Sequence, residues 1–145
     1  MSEHAAVTRD TVFLNPRCCL VPGVWSYTLA DPLAVSLVLN PSGGSATRCW
    51  SWARSLLAEA FDAPAGDADV HLYHSALGRM VVRLSAPDGD CQLSCRAEPV
   101  WEFLVSTFVI CPPCRGGRCC SCSECVLVRQ ALNVELAGIL RGAVP

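Results

Sequence analysis

Six cysteines fall within fifteen positions, and their spacing is that of a metal site. Cys111-Pro112-Pro113-Cys114 and Cys122-Ser123-Glu124-Cys125 are two C-x-x-C turns seven residues apart, with Cys119 and Cys120 between them. One such turn can aim two sulfurs at a single cation. Two turns complete a tetrahedron of thiolates, which zinc prefers at a Zn–S distance of about 2.3 Å. The expected cofactor is therefore a structural zinc, and Cys119 or Cys120 can replace Cys122 among its ligands. Arg115-Gly116-Gly117-Arg118 supply a chain reversal and a positive charge that partly offsets the thiolates. A second ligand set is His71, His74, Cys91 and Cys95. The two histidines share a face if their segment is helical. Cys91 and Cys95 are ~13 Å apart on a straight strand, so a hairpin there and a shared zinc exclude each other unless the chain bends. Cys18, Cys19 and Cys49 read as small buried apolar side chains.

Other chemistry finds less support. Thiol–disulfide exchange at Cys111 and Cys114 needs a helix starting just after the first cysteine to lower its pKa. Gly116-Gly117 break that helix, and four more cysteines nearby would scramble the pair. The chain has no G-x-S-x-G, no G-x-x-x-x-G-K-[ST] and no H-E-x-x-H. The expectation is a protein that is not an enzyme.

The elements that must carry these residues follow from periodicity. Short strands are expected over 12–14 and 24–29, and a buried strand over the apolar run 33–39. Residues 46–61 have helical spacing, with Cys49, Trp52, Leu56 and Ala60 on one stripe and Trp50, Leu57 and Phe61 beside it. Residues 70–80 fit either a helix or a strand. Pro87-Asp88-Gly89 is a turn signal that makes a hairpin of 79–85 and 90–96. Pro99 can open a helix whose Val100, Phe103, Leu104 and Phe108 face the core, in competition with a strand over 104–110. Residues 126–140 form an amphipathic pattern with Leu132, Leu136, Ile139 and Leu140 on one side. The fold class expected is α+β: a small mixed domain with a C-terminal cysteine-rich zinc knuckle, followed by an amphipathic helix. Residues 1–10 read as a flexible tail and 11–145 as one zinc-stabilised domain, with its cysteine cluster at 111–125.

Composition narrows the function. A chain that is 52% hydrophobic and 17% charged is not intrinsically disordered. Eleven cysteines is an odd number, and the start of the chain lacks the basic and apolar regions of a secretory signal. Thiols in a reducing, intracellular compartment are the expectation. The longest apolar runs, 33–39 and 100–110, are short of the ~20 residues that span a bilayer, so no membrane is expected. A net charge of −2 makes nucleic acid an unlikely partner. The alternative is a small zinc-binding nucleic-acid-associated regulator using Arg115, Arg118 and Arg129. All eleven basic residues are arginine. A GC-rich gene accounts for that, and a lysine-free chain also suits a component working beside a ubiquitin ligase.

Ala131-Leu132, Leu136 and Leu140 resemble the box by which ubiquitin-ligase substrate receptors engage elongin C, with Leu136 in place of the usual cysteine. A helix of this kind would lay Leu132, Leu136 and Leu140 into a partner's groove. Taken in order, several features resemble the adenovirus early region 4 34-kilodalton protein family. They are Arg17-Cys18-Cys19, the stretch from Trp25 to Leu29, Cys49-Trp50, His71-Leu72-Tyr73-His74, Cys91 and Cys95, Trp101, Cys111 and Cys114, and Cys119-Cys120. The resemblance implies a viral early regulatory adaptor that binds zinc. Such an adaptor joins a second viral early protein to a cullin–elongin ubiquitin ligase, in the host nucleus and cytoplasm. The chain is shorter than typical members of that family, and its arginine-rich helix is reduced to Arg129 and Arg141.

Overall fold

The computed structural model describes residues 5–40, 47–87 and 89–112. Eight strands and two helices occupy them: β1 (Ala6–Leu14), β2 (Leu20–Thr28), β3 (Ala34–Leu39), β4 (Arg48–Ala53), α1 (Arg54–Ala60), β5 (Ala65–Asp67), β6 (Val70–His74), β7 (Arg79–Ala86), β8 (Gly89–Arg96) and α2 (Ala97–Ile110). The strands form one sheet in the order β4-β3-β2-β1-β8-β7-β6-β5. Every pairing is antiparallel, and all but one join strands consecutive in the chain. The exception joins β1 to β8 through Leu14 opposite Ser94. The molecule is thus two four-stranded meanders meeting at a narrow seam.

Alternation makes these strands. Along β2, Val21, Gly23, Trp25 and Tyr27 point inward and are buried; along β3, Val35, Leu37 and Leu39 do the same. β7 contributes Met80, Val82 and Leu84, and β8 contributes Leu93 and Cys95. α2 covers this inner face, with Val100, Phe103 and Leu104 buried. The Phe103 ring lies 6.0 Å from Trp25, which also meets Phe13 at 6.1 Å and the edge of Trp52 at 5.7 Å. Gly23 makes room for this cluster: a Cβ there would sit 2.8 Å from Phe13 Cε2 and 3.2 Å from Leu39 Cδ2.

The sheet corrects several expectations. Among the described residues the molecule is dominated by β-structure rather than being a mixed α+β domain, because alternation of period two runs through most segments; the expected zinc knuckle and the amphipathic helix after it lie outside the described residues. The helix expected over 46–61 begins only at Arg54. Residues 48–53 are instead β4, with Trp50 and Trp52 on the inward side opposite Leu37 and Val35. β1 opens at Ala6, inside the segment read as a tail. Residues 70–80 resolve into strand, turn and strand. The strand at 33–39, the hairpin around 87–89 and the helix near Pro99 are present.

Candidate functional site

Of the expected zinc ligands at 111–125, Cys111 is described. It ends α2, is 3% exposed, and its Sγ lies 3.9 Å from the Pro112 carbonyl oxygen. Cys114, Cys119, Cys120, Cys122 and Cys125 lie outside the described residues, as do Leu132, Leu136 and Leu140, and Arg115, Arg118 and Arg129. His71 and His74 lie on β6, and Cys91 and Cys95 on β8, with β7 between them. Three residues apart on a strand, the histidines point to opposite faces. His71 stands opposite Arg83, while the His74 ring lies 5.7 Å from Phe61. Among the described residues no group of three or more His, Cys, Asp or Glu is placed to hold a metal ion. Cys18, Cys19 and Cys49, expected to be buried, are exposed. Cys18 sits in the β1–β2 turn at φ 63°, and Cys49 points outward from β4.

Cys95 is the buried thiol of the inner face. Burial pushes its pKa up to about 11, against the opposing pull of a Thr11 hydrogen bond and the Arg79 charge. Cys91 opens on a hollow of about 370 Å³ between the two meanders, lined by Leu39, Trp50, Leu84 and Leu93 among others. Burial raises the Cys91 thiol too, against the charge of Arg48. A thiol held protonated is a poor nucleophile. The hollow can take a small apolar group against Leu39, Trp50, Leu84 and Leu93, and Arg48 and Asp90 are its charged lining.

Sequence reading missed Arg54. It is the first residue of α1 and only 2% exposed. Its Nη1 donates to the carbonyl oxygens of Cys111 at 2.8 Å and Thr107 at 3.1 Å, and to the Tyr27 hydroxyl at 3.4 Å. Its guanidinium lies over the rings of Phe108, at 4.6 Å, and Tyr27, at 5.4 Å. A cation here meets the negative dipole end of α2, sharing the Thr107 oxygen with the Cys111 N–H and satisfying the Cys111 carbonyl at the cap. Arg54 therefore fixes the point at which the chain leaves that helix. No sequence signal distinguishes it from a surface arginine.

The feature that stands out is the outer face of the sheet. On β1 to β4 the outward residues are Ala6, Thr8, Asp10, Val12 and Leu14; Leu20, Pro22, Val24, Ser26 and Thr28; Ala34, Ser36 and Val38; and Cys49, Ser51 and Ala53. Every one is exposed or half-buried, and Asp10 is the one charge among them. Leu20 is 66% exposed and Val12 53%. The same face of β7 and β8 is different: there Arg79, Arg83, Asp90, Gln92 and Arg96 point outward. Solvated strands ordinarily alternate apolar-in with polar-out. A four-stranded face of small, apolar and hydroxyl side chains is instead the composition of a surface that meets another surface.

The sequence of residues 21–115 matches the model of the family described as Streptomyces sporulation and cell division protein, SsgA. The chain belongs to the SsgA family. The matched region runs from the second residue of β2 to just beyond α2. The chain is 40% identical over 87 residues to a sporulation-specific cell division protein of Frankia casuarinae, covering 58% of this chain and 59% of that protein's length. It is 35% identical over 116 residues to the sporulation-specific cell division protein SsgB of Salinispora tropica, covering 77% of each. A solved structure described with mutations in SsgB that correlate to longitudinal cell division during sporulation of Streptomyces coelicolor superposes with a TM-score of 0.70. The identity there is 31%, over 78% of this chain and 94% of that one.

These relatives are bacterial, and they overturn the resemblance to the adenoviral family. With it go the viral adaptor function, the elongin–cullin ligase and second viral protein as partners, and the host nucleus as location. The resemblance rested on the order of Cys, His and Trp residues. In the fold, Trp25 and Trp52 are core-packing positions, Trp101 meets Phe61 at 5.0 Å, and Cys18, Cys19 and Cys49 are exposed on turns and strands.

Proposed function

We propose that this SsgA-family chain acts in sporulation-associated cell division without catalysing a reaction, as a protein that docks other proteins through the outer face of β1–β4. The observation that carries this reading is the charge division of the sheet: one charge across four outward-facing strands, against four across β7 and β8. Its support is the family description, which names a cellular process rather than a reaction. The printed names of the relatives, sporulation-specific cell division proteins, agree with it.

The test is complementation in a Streptomyces coelicolor strain lacking its own SsgB. Expression of this chain restores sporulation septa, and a fluorescent fusion gathers at them. A Ser36→Arg variant, charged on the outward face, is made in equal amount and fails to restore septa. Restoration by Ser36→Arg equal to that by the wild type would move the docking surface elsewhere. Failure of the wild-type chain to reach septa would remove the cell-division role.

A further inference from the structure

The inner face of the sheet is not closed along its whole length. α2 covers it around Trp25, where Phe103 packs. At the other end of β3 and β4, where Leu39 pairs with Arg48, the two meanders part. β1 meets β8 through Leu14 and Ser94, and beyond that pair the strands diverge. The hollow of about 370 Å³ occupies the gap. Val21, Leu39 and Trp50 wall it from the first meander, and Leu84, Cys91 and Leu93 from the second. Among the described residues, neither helix lines it.

Its charge is one-sided. Arg48 alternates in step with Trp50 and Trp52, so it belongs to the inner face. Asp90 also borders the hollow, but the register sets it opposite Ser85, in the outer row. Cys91 stands opposite the buried Leu84 and faces inward with its thiol held protonated, close enough to feel the Arg48 charge. The recess is therefore apolar, with one inward cation and no inward carboxylate among its described residues. Such a lining complements an apolar anion. A guanidinium carries five N–H donors, so Arg48 can meet an added carboxylate and keep its contacts within the protein.

We propose that the hollow binds a small apolar carboxylate, a straight-chain acid whose tail lies against Trp50, Leu84 and Leu93 and whose head rests on Arg48. This goes beyond the docking reading and does not depend on it, since the hollow opens on the opposite side of the sheet from the docking face. Size sets the length of the tail. A dry apolar cavity of about 150 Å³ holds benzene, so a half-open hollow more than twice as large takes a body of about ten to fourteen carbons. The carboxylate supplies orientation, because a fork of guanidinium N–H groups meets its two oxygens in parallel.

Equilibrium dialysis of the full chain against radiolabelled decanoate reads this directly. Decanoate binds at one site per chain. Decanol, which has the tail without the charge, binds about tenfold more weakly. Decyltrimethylammonium binds more weakly still, and acetate, the head without the tail, does not bind. Arg48→Gln lowers the affinity for decanoate to that for decanol, and Arg48→Lys, which keeps the charge, rescues it in part. Cys91→Trp fills the hollow from β8 and abolishes binding of both decanoate and decanol. Ala86→Trp fills it from β7 and serves if Cys91→Trp fails to fold. Decanoate that does not bind overturns the proposal, as does a cationic analogue that binds equally well. Undiminished affinity in Arg48→Gln, or binding that survives both tryptophan substitutions, overturns it too.

Discussion

Arg54 and Cys95 show how single buried groups set the behaviour of this protein. Arg54 gives its hydrogen bonds to backbone carbonyls at the end of α2, so removing the side chain takes this donor from the Cys111 oxygen and leaves the Thr107 oxygen with the Cys111 N–H alone. Hydrogen bonds from charged donors contribute about 1.5–3 kcal/mol. Arg54→Leu is expected to cost about 3 kcal/mol in urea denaturation. Arg54→Lys should lose less, since an ammonium can reach one carbonyl but lacks the planar fork and its ring contacts. Cys95 makes a prediction in pH. Its folded-state pKa is about 11, against 9.0 for an ordinary thiol. The folded protein therefore holds this proton more tightly than the unfolded chain. The contribution to stability is complete below pH 9 and drains away as pH rises through 11. Melting temperatures measured from pH 8 to 11 should fall more steeply for the wild type than for Cys95→Ala. Equal slopes would mean that Cys95 titrates alike in both states.

At the scale of elements, the seat of the Phe13 ring of β1 over β2 depends on Gly23. Gly23→Ala puts a methyl group 2.8 Å from the Phe13 ring, and such overpacking costs about 1–3 kcal/mol. A denaturant midpoint unchanged by this substitution would show that the ring moves freely. β3, the β7–β8 hairpin and α2 could be read from the sequence because each carries a strong period or a strong turn signal. β4 could not. Cys49, Trp52, Leu56 and Ala60 fit a helical stripe, yet the stripe spans a strand and a helix joined at Arg54. The local pattern was ambiguous, and pairing with β3 decided it. β1 was hidden because Val7, Arg9 and Thr11 are only half-buried and mix charge with apolar groups. The outer face was invisible for a related reason: it exists only once the register of four strands is known. Cysteine and histidine spacing pointed to chemistry instead, but strand geometry sends His71 and His74 apart and keeps Cys91 and Cys95 from joining them.

At the scale of the whole molecule, the sheet divides its tasks. One half shows water a charged exterior, and the other shows an uncharged face suited to contact. α2 holds the halves together from within, packing on β1, β2 and β7. The seam between Leu14 and Ser94 also has a kinetic consequence. Each meander is built of hairpins between neighbours in the chain, so it closes only short loops as it forms, and local pairing of this kind is fast. The long-range step is the joining of β1 to β8 beneath α2, which loop-closure entropy is expected to place last. A substitution within a meander should then slow refolding, whereas one at the junction should hasten unfolding and leave refolding almost unchanged. Phe103→Ala, which empties the space between α2 and Trp25, is expected to cost about 3–5 kcal/mol. Stopped-flow measurements should place nearly all of that cost in the unfolding rate. Leu37→Ala, inside the first meander, should divide its cost between both rates. A chain built this way can have two half-sheets formed before it becomes one molecule. The interval before α2 packs across the seam is when the inner face of each half-sheet, Trp25 and Leu93 included, lies open to whatever apolar surface is nearby.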